Sequence, residues 1–175
     1  WWWLERTGIC ILGLGNESFM VNSTARGTNG YWLKSLVSEM FFRKELRFPT
    51  DRRENLIDIT EEINAVISES GLDSGVCSIY VPHATSGVLV NENDDPNIIE
   101  DVLETLRKMA PKGSFLHDKI DGNGDAHVKS AIMGPSESIP FENGRMLLGT
   151  WQSVMLCEFD GPKYERKVIV TLFTG

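Results

Sequence analysis

The chain has 175 residues, enough for one domain of ordinary size, and its apolar fraction of 41% can fill a core. A net charge of −8 and a pI near 4.9 argue against a general nucleic-acid binder, which needs a basic face to displace counterions. No apolar run approaches the roughly 20 residues of a membrane-spanning helix. The three cysteines, Cys10, Cys77 and Cys157, are odd in number and widely spaced; they suit a reducing, cytoplasmic compartment better than a disulfide scaffold.

Residues 1–39 differ in composition from the rest. Three tryptophans open them, a short apolar stretch follows from Ile9 to Leu14, and a Ser, Asn, Gly and Thr mixture runs to Tyr31. The charges of this prefix cancel, Glu5, Glu17 and Glu39 against Arg6, Arg26 and Lys34. We read it as an N-terminal extension, non-native or poorly ordered, with Met40 as a natural start and residues 40–175 as a single domain. The alternative is an extra strand or arm that docks on that domain. From Phe42 to Phe48 the pattern predicts a strand, and Asn55 to Ile59 a second. Asp58-Ile59-Thr60-Glu61 opens a helix in capping-box fashion, Ile59, Ile63, Val66 and Ile67 recur at helical spacing, and Gly71 ends it. Val76–Val81 and Gly87–Val90 read as strands. Asp95-Pro96 is an N-cap followed by a first-turn proline, and Ile98, Ile99, Val102, Leu103 and Leu106 give the second helix its apolar stripe up to Pro111 and Gly113. Beyond His127 the pattern predicts strands at Val128–Met133, Met146–Trp151, Ser153–Phe159 and Lys167–Phe173, with Asn143-Gly144 and Asp160-Gly161 as turns. The sum is an α+β domain, its mixed, mainly antiparallel sheets curled into a sandwich with two main helices.

All three histidines fall in one window: His83 at a strand end beside Pro82, His117 in Phe-Leu-His-Asp, and His127 after Gly-Asn-Gly-Asp-Ala. Three imidazoles with an open fourth position are a recurrent catalytic zinc set, so we expect them to converge on one cavity. The plainer explanation of His83 is a histidine hydrogen-bonded in a turn, that of His127 a β-hairpin with an exposed charged face, and His117 joins them only if the fold brings its loop near. Asn91-Glu92-Asn93-Asp94-Asp95 is a dense acidic turn. Asp95 serves as the helix cap, which leaves Glu92 as ligand, orienter or general base. If residues 125–129 are a strand, Asp125, His127 and Lys129 share one face, a set that an apolar core would not select. Trp151 and Gln152 offer stacking and amide hydrogen bonds to a ring-shaped ligand, and Ser136 offers a hydroxyl to a phosphate. No Walker A sequence, dinucleotide fingerprint, nucleophile elbow or His-Glu-x-x-His helix is present.

Taken together, Asp58-Ile59-Thr60, Pro82-His83-Ala84-Thr85, Asn91-Glu92-Asn93, Asp95-Pro96, Gly122-Asn123-Gly124-Asp125-Ala126-His127, Leu148-Gly149-Thr150-Trp151-Gln152 and Cys157-Glu158-Phe159-Asp160-Gly161-Pro162 resemble the YjbQ family, also called UPF0047, over about residues 42–175. One departure is Ala84, where threonine is usual. The resemblance implies an α+β sandwich assembled as a homotrimer. It also implies a secondary thiamine-phosphate synthase activity, in which hydroxymethylpyrimidine diphosphate joins a thiazole phosphate and releases pyrophosphate. On both lines of reasoning we expect His83, His117 and His127 to hold a divalent metal, zinc-like by ligand softness. Magnesium is the ion that diphosphate chemistry usually prefers. Lys129 would share in stabilising the leaving group. Glu92 and Asp125 would move protons or orient the histidines, and the bound species would be a small anionic metabolite. A metal-dependent hydrolase of a small phosphorylated or ester substrate, or a non-enzymatic trimeric module that binds a metabolite or metal, are the alternatives.

Overall fold

This computed structural model describes residues 41–174, together with the backbone of strands β1 (Ile9–Leu14) and β2 (Glu17–Asn22). The chain divides into two compact units, Trp1–Val37 and Ser38–Gly175. In the first, β1 and β2 pair antiparallel, with Leu14 opposite Glu17. The remainder of the expected extension, and Met40, lie outside the described residues.

The second unit runs β3 (Phe41–Thr50), β4 (Asn55–Asp58), α1 (Thr60–Ser70), β5 (Ser74–Tyr80), β6 (Ser86–Glu92), α2 (Pro96–Met109), a 3-10 turn (Leu116–Lys119), α3 (Gly124–Met133), β7 (Ser136–Glu142), β8 (Arg145–Met146), β9 (Gln152–Glu158) and β10 (Lys163–Phe173). Two antiparallel sheets result, ordered β3-β10-β5-β7-β8 and β4-β9-β6. The architecture is α+β, as the pattern of strands and helices led us to expect.

Local rules account for most elements. Along β10, every second residue from Arg166 to Leu172 is buried, the period-2 pattern of a strand with one face on the core. The Asp58 carboxylate accepts the Thr60 N–H at 2.9 Å, and Gly71 closes α1 at φ 70°. Asp95 caps α2 by accepting the Asn97 N–H at 2.9 Å. Asn143 and Gly144, both at positive φ, make the two-residue turn that sets Glu142 opposite Arg145.

Two apolar layers form around the smaller sheet. Ile63, Val66 and Ile67 of α1 pack with Ile79, Val88, Val154, Leu156, Val168 and Val170 between the sheets. On the other side, Leu103 and Leu106 of α2 and Ala126 of α3 meet Leu89, Met155, Cys157 and Phe159. β9 therefore sends Val154 and Leu156 one way and Met155 and Cys157 the other. This two-sided burial explains why its sequence is a continuous apolar run and not an alternation. Each such aliphatic side chain contributes about 1.5–3 kcal/mol on burial.

Two expectations are corrected here. Val128–Met133 is not a strand; it is the end of the third helix, α3. Asp125, Ala126, Lys129 and Ser130 are all buried, which is helical spacing, but three of the four are polar and so hid the period. Met146–Trp151 is also not a strand. Pairing in β8 stops at Met146, and the Gly149 N–H turns back to the Gln152 Oε1 at 2.8 Å.

Candidate functional site

Gly122-Asn123-Gly124 breaks the chain and lets α3 start against the 3-10 turn. Asp118 makes the join: its Oδ2 accepts the Phe115 N–H at 2.9 Å and its Oδ1 accepts the Gly124 N–H at 2.8 Å. These two backbone bonds hold the Asp118 carboxyl below the usual carboxylate range. A Cβ on Gly124 would lie 2.6 Å from Phe115 Cβ, so only glycine permits this approach.

The join sets two imidazoles edge to face. The His117 and His127 ring centroids lie 4.6 Å apart at 74°. His117 Nε2 is buried and has no hydrogen-bond partner; Asp121 Oδ2, at 3.7 Å, is too far to accept. Asn123 Oδ1 is a second buried acceptor without a partner, while the same amide donates to Asp160 at 3.2 Å. Buried polar atoms left unpaired are rare and call for an explanation such as a ligand or ion.

His83 stands elsewhere and has a local task. β5 ends at Tyr80, opposite Ile169 of β10. That register would set Pro82 opposite Lys167, and instead the His83 ring fills the place, with Nε2 accepting the Lys167 N–H at 2.8 Å. Acceptance at Nε2 puts the proton of neutral imidazole on Nδ1, so neither ring nitrogen offers a lone pair to a metal. Burial, helped by the Arg166 guanidinium, pushes the His83 pKa down and favours the neutral form. The structure thus brings together two of the three histidines. Among the described residues no group of three or more His, Cys, Asp or Glu side chains is arranged to hold a metal ion.

Asp125 and Lys129 do meet, but as helical neighbours four residues apart and not on a strand face, and His127 points away from them. Lys129 is 2% exposed and Asp125 1%. Lys129 Nζ donates to Asp125 at 2.9 Å and to Glu54 at 2.6 Å. Arg53 reaches Asp125 at 2.9 Å, and Arg107 reaches Glu54 at 2.7 Å. Burial pushes the Glu54 carboxyl up, but the hydrogen bonds from Lys129 and Arg107 outweigh it and hold that carboxyl below its ordinary value. A second buried group lies beside His83: Arg166 grips Glu158 through two nitrogens at 2.6 and 2.7 Å and also donates to Thr85 at 3.0 Å.

Glu92, Trp151 and Gln152 lie at the far end of the smaller sheet, whereas Ser136 opens a strand of the larger sheet just after Gly134, whose carbonyl accepts the Val88 N–H near the other end of β6. Glu92 is half-buried opposite Gln152. Asn93 ties this corner down, donating its N–H to the Trp151 carbonyl at 3.1 Å and its side chain to Asp58 at 2.8 Å. Trp151 is 60% exposed. Ser136 is exposed at the start of β7, opposite Tyr80. The Glu92–Gln152 pair is six ladder positions from the Ser86–Glu158 pair, roughly 20 Å at the rise of a strand. Asn123 and Ser130 fasten α3 near that second pair, through Asp160 and the Ser86 carbonyl. Sequence reasoning missed Arg53, Glu54, Asn123 and Arg166. Only Asn123, inside the glycine-rich bend, carried a local signal; the other three are charged residues in unremarkable contexts.

A sequence model described as UPF0047 protein YjbQ-like matches residues 44–175. UPF0047 protein MJ1081 of Methanocaldococcus jannaschii is 44% identical over 73% of this chain and 91% of its own. UPF0047 protein YugU of Bacillus subtilis is 43% identical over 69% of this chain and 91% of its own. Among solved structures, a YbjQ-like protein of Sulfolobus solfataricus superposes with a TM-score of 0.74 at 30% identity, covering 77% of this chain and 98% of the other. A YjbQ/UPF0047 family protein of Clostridium acetobutylicum superposes with a TM-score of 0.71 at 40% identity, covering 74% and 99%. With its motifs, its curled antiparallel sheets and these relatives in agreement, the chain belongs to the UPF0047 (YjbQ-like) family.

Proposed function

We propose that this chain is an enzyme for a small phosphorylated metabolite, with the His117–His127 pair at its chemical centre, and that its reaction is the thiamine-phosphate synthase type implied by the family resemblance. The supporting observation is the buried, unpartnered Nε2 of His117 beside a second imidazole. In that reaction the thiazole nitrogen gives its electron pair to the methylene carbon of hydroxymethylpyrimidine diphosphate. The carbon–oxygen bond breaks, and its electrons leave on pyrophosphate, so negative charge grows on the departing oxygen. An imidazolium is well suited to meet it.

His117 and His127 fit two positions of a zinc-like shell and no more, since no third ligand joins them among the described residues. A bound divalent ion would add positive charge beside the diphosphate; every other part of the proposal rests on the chain's own side chains. Asp125 and Lys129, sealed from solvent, act here by positioning α3. Glu92, Trp151, Gln152 and Ser136 are the polar and aromatic groups available to a substrate, and a homotrimer is the assembly that the family suggests.

The test is incubation of purified chain with both precursors and a divalent cation. Thiamine phosphate and pyrophosphate should form in equal amounts, and His127→Ala should lower the rate about 100-fold, the scale of a lost general acid. Diphosphate hydrolysis without coupling would move the reading to a hydrolase, and no turnover above buffer would end the enzymatic reading.

A further inference from the structure

Two buried polar atoms are left without a partner among the described residues, and both lie in the bend from His117 to Gly124. They differ in kind. His117 Nε2 gives a hydrogen bond in one neutral tautomer and takes one in the other. Asn123 Oδ1 has no such choice, because Asp160 fixes the amide. The Asp160 carboxylate is met by Lys163 at 3.1 Å, by Asn123 at 3.2 Å and by Arg53 at 3.4 Å. Burial pushes its carboxyl up, but the bonds from Lys163 and Asn123 outweigh burial and hold it below its ordinary range. An ionised carboxylate only accepts, so it takes the Nδ2 end of the amide. Turning the amide over would set two acceptor oxygens against each other. Oδ1 is therefore locked as an acceptor, and what completes it is an N–H or an O–H. Phosphate and carbonyl oxygens cannot.

This polarity narrows the ligand. Asn123 opens α3, and its carbonyl accepts the His127 N–H at 3.3 Å, so the unpartnered acceptor stands within one helical turn of the imidazole pair. Both precursors of the proposed reaction carry their hydroxyls as phosphate esters, which leaves the amino group on the pyrimidine ring as their N–H donor. We propose that Asn123 selects the pyrimidine, its Oδ1 accepting an N–H of that amino group, and that Asp160 is the positioning residue that holds the amide in the selective orientation. Neither Oδ1 nor His117 Nε2 meets solvent while the bend is shut, so the ligand enters as the bend shifts. Gly113 and Gly122 flank the turn that carries His117, at φ 82° and 65°, and a Cβ on either would meet nothing within 4 Å. Small residues at such positions absorb the backbone change of a moving loop. This inference rests on the proposed reaction, but its test needs no turnover.

Calorimetric titration of the full chain with the aminopyrimidine diphosphate, and with the analogue that has hydrogen in place of the amino group, measures the selection. The wild type should bind the amino compound about 10-fold more tightly, the scale of one net hydrogen bond. Asn123→Ala should erase that ratio and leave the affinity for the hydrogen analogue within about twofold. A merely structural loss would weaken both compounds alike, and the comparison cancels their difference in ring basicity. Asp160→Asn, whose amide gives as well as accepts, should also reduce the ratio while the hydrogen analogue binds as before, and it keeps the test open where Asn123→Ala fails to fold.

Equal wild-type affinity for the two compounds, or a ratio that persists in Asn123→Ala, leaves Oδ1 to a bound water and overturns the inference. A ratio unchanged in Asp160→Asn takes the positioning role from Asp160. Binding of neither compound overturns the inference together with the proposed reaction. Selection for the amino compound, with no thiamine phosphate formed once the thiazole phosphate is added, removes the reaction alone and leaves Asn123 its role.

Discussion

At the scale of single residues, His83 shows how a side chain can finish what a strand leaves undone. Pro82 brings β5 to an end, and the Lys167 N–H would face nothing without the imidazole. His83→Ala should therefore cost about 1 kcal/mol, the net value of one such hydrogen bond. The sign of its pH dependence follows from the bond. The folded chain prefers neutral His83, so its pKa lies below the ordinary 6.5. The stabilisation is fully present above about pH 6.5 and is lost as the pH falls through the lower, folded-state value. Denaturant titrations of the wild type and His83→Ala should differ most near neutral pH and converge toward pH 5. The cysteines carry the opposite message: burial pushes the Cys77 thiol up to about 12 and Cys157 still higher, so both stay protonated and serve as small apolar filler.

At the scale of elements, α3 decides what the site can be. Its inward face carries an ionic pair in a place where a helix of this size normally puts leucine or valine. Replacing both partners by apolar groups of similar volume is often harmless, whereas removing one strands the other. Lys129→Ala should lower the unfolding free energy by about 3 kcal/mol, the low end for breaking a buried pair, because Arg53 and Arg107 still face the two carboxylates. Urea unfolding followed by circular dichroism measures this, and a change below about 0.5 kcal/mol, the range of ordinary surface substitutions, would contradict the role given to Lys129. The same helix explains the limits of sequence reading. α1 and α2 were legible because isoleucine, valine and leucine recur along them at helical spacing and Asp95-Pro96 marks a start. α3 was not, because Asp125, Lys129 and Ser130 occupy its buried positions, and a period-2 reading of acid, imidazole and ammonium was equally consistent with the letters. The pairing of His117 with His127 depends on the Asp118 tether and the bare Gly124 backbone, and neither appears as periodicity. Asn143-Gly144 was read correctly because its chemistry is wholly local.

At the scale of the whole molecule, carboxylates set the acid limit. Burial pushes Glu54, Asp58 and Asp160 up, yet in each case hydrogen bonds prevail and the carboxyl sits below its usual range: Lys129 and Arg107 on Glu54, Thr60 and Asn93 on Asp58, Lys163 and Asn123 on Asp160. Asp118 joins them through its two backbone donors. Groups depressed in this way stabilise the fold above their unfolded values, about pH 4, and withdraw that support as the pH falls through the folded ones. The denaturation midpoint should therefore drop steeply below about pH 4, and neutralising Glu54 and Asp160 together as Gln and Asn should blunt the drop. The antiparallel sandwich itself was legible from turn residues and alternation, but the division of the candidate site between two ends of one sheet was not, because a motif records neighbours along the chain and not the length of the ladder between them.

The double-faced burial of β9 has one more consequence. A partition that two rooms have in common cannot be taken down for one of them alone. Whatever loosens the helical side, including an event at the histidines, is felt across that partition by the larger sheet, so this unit has no soft half to surrender first.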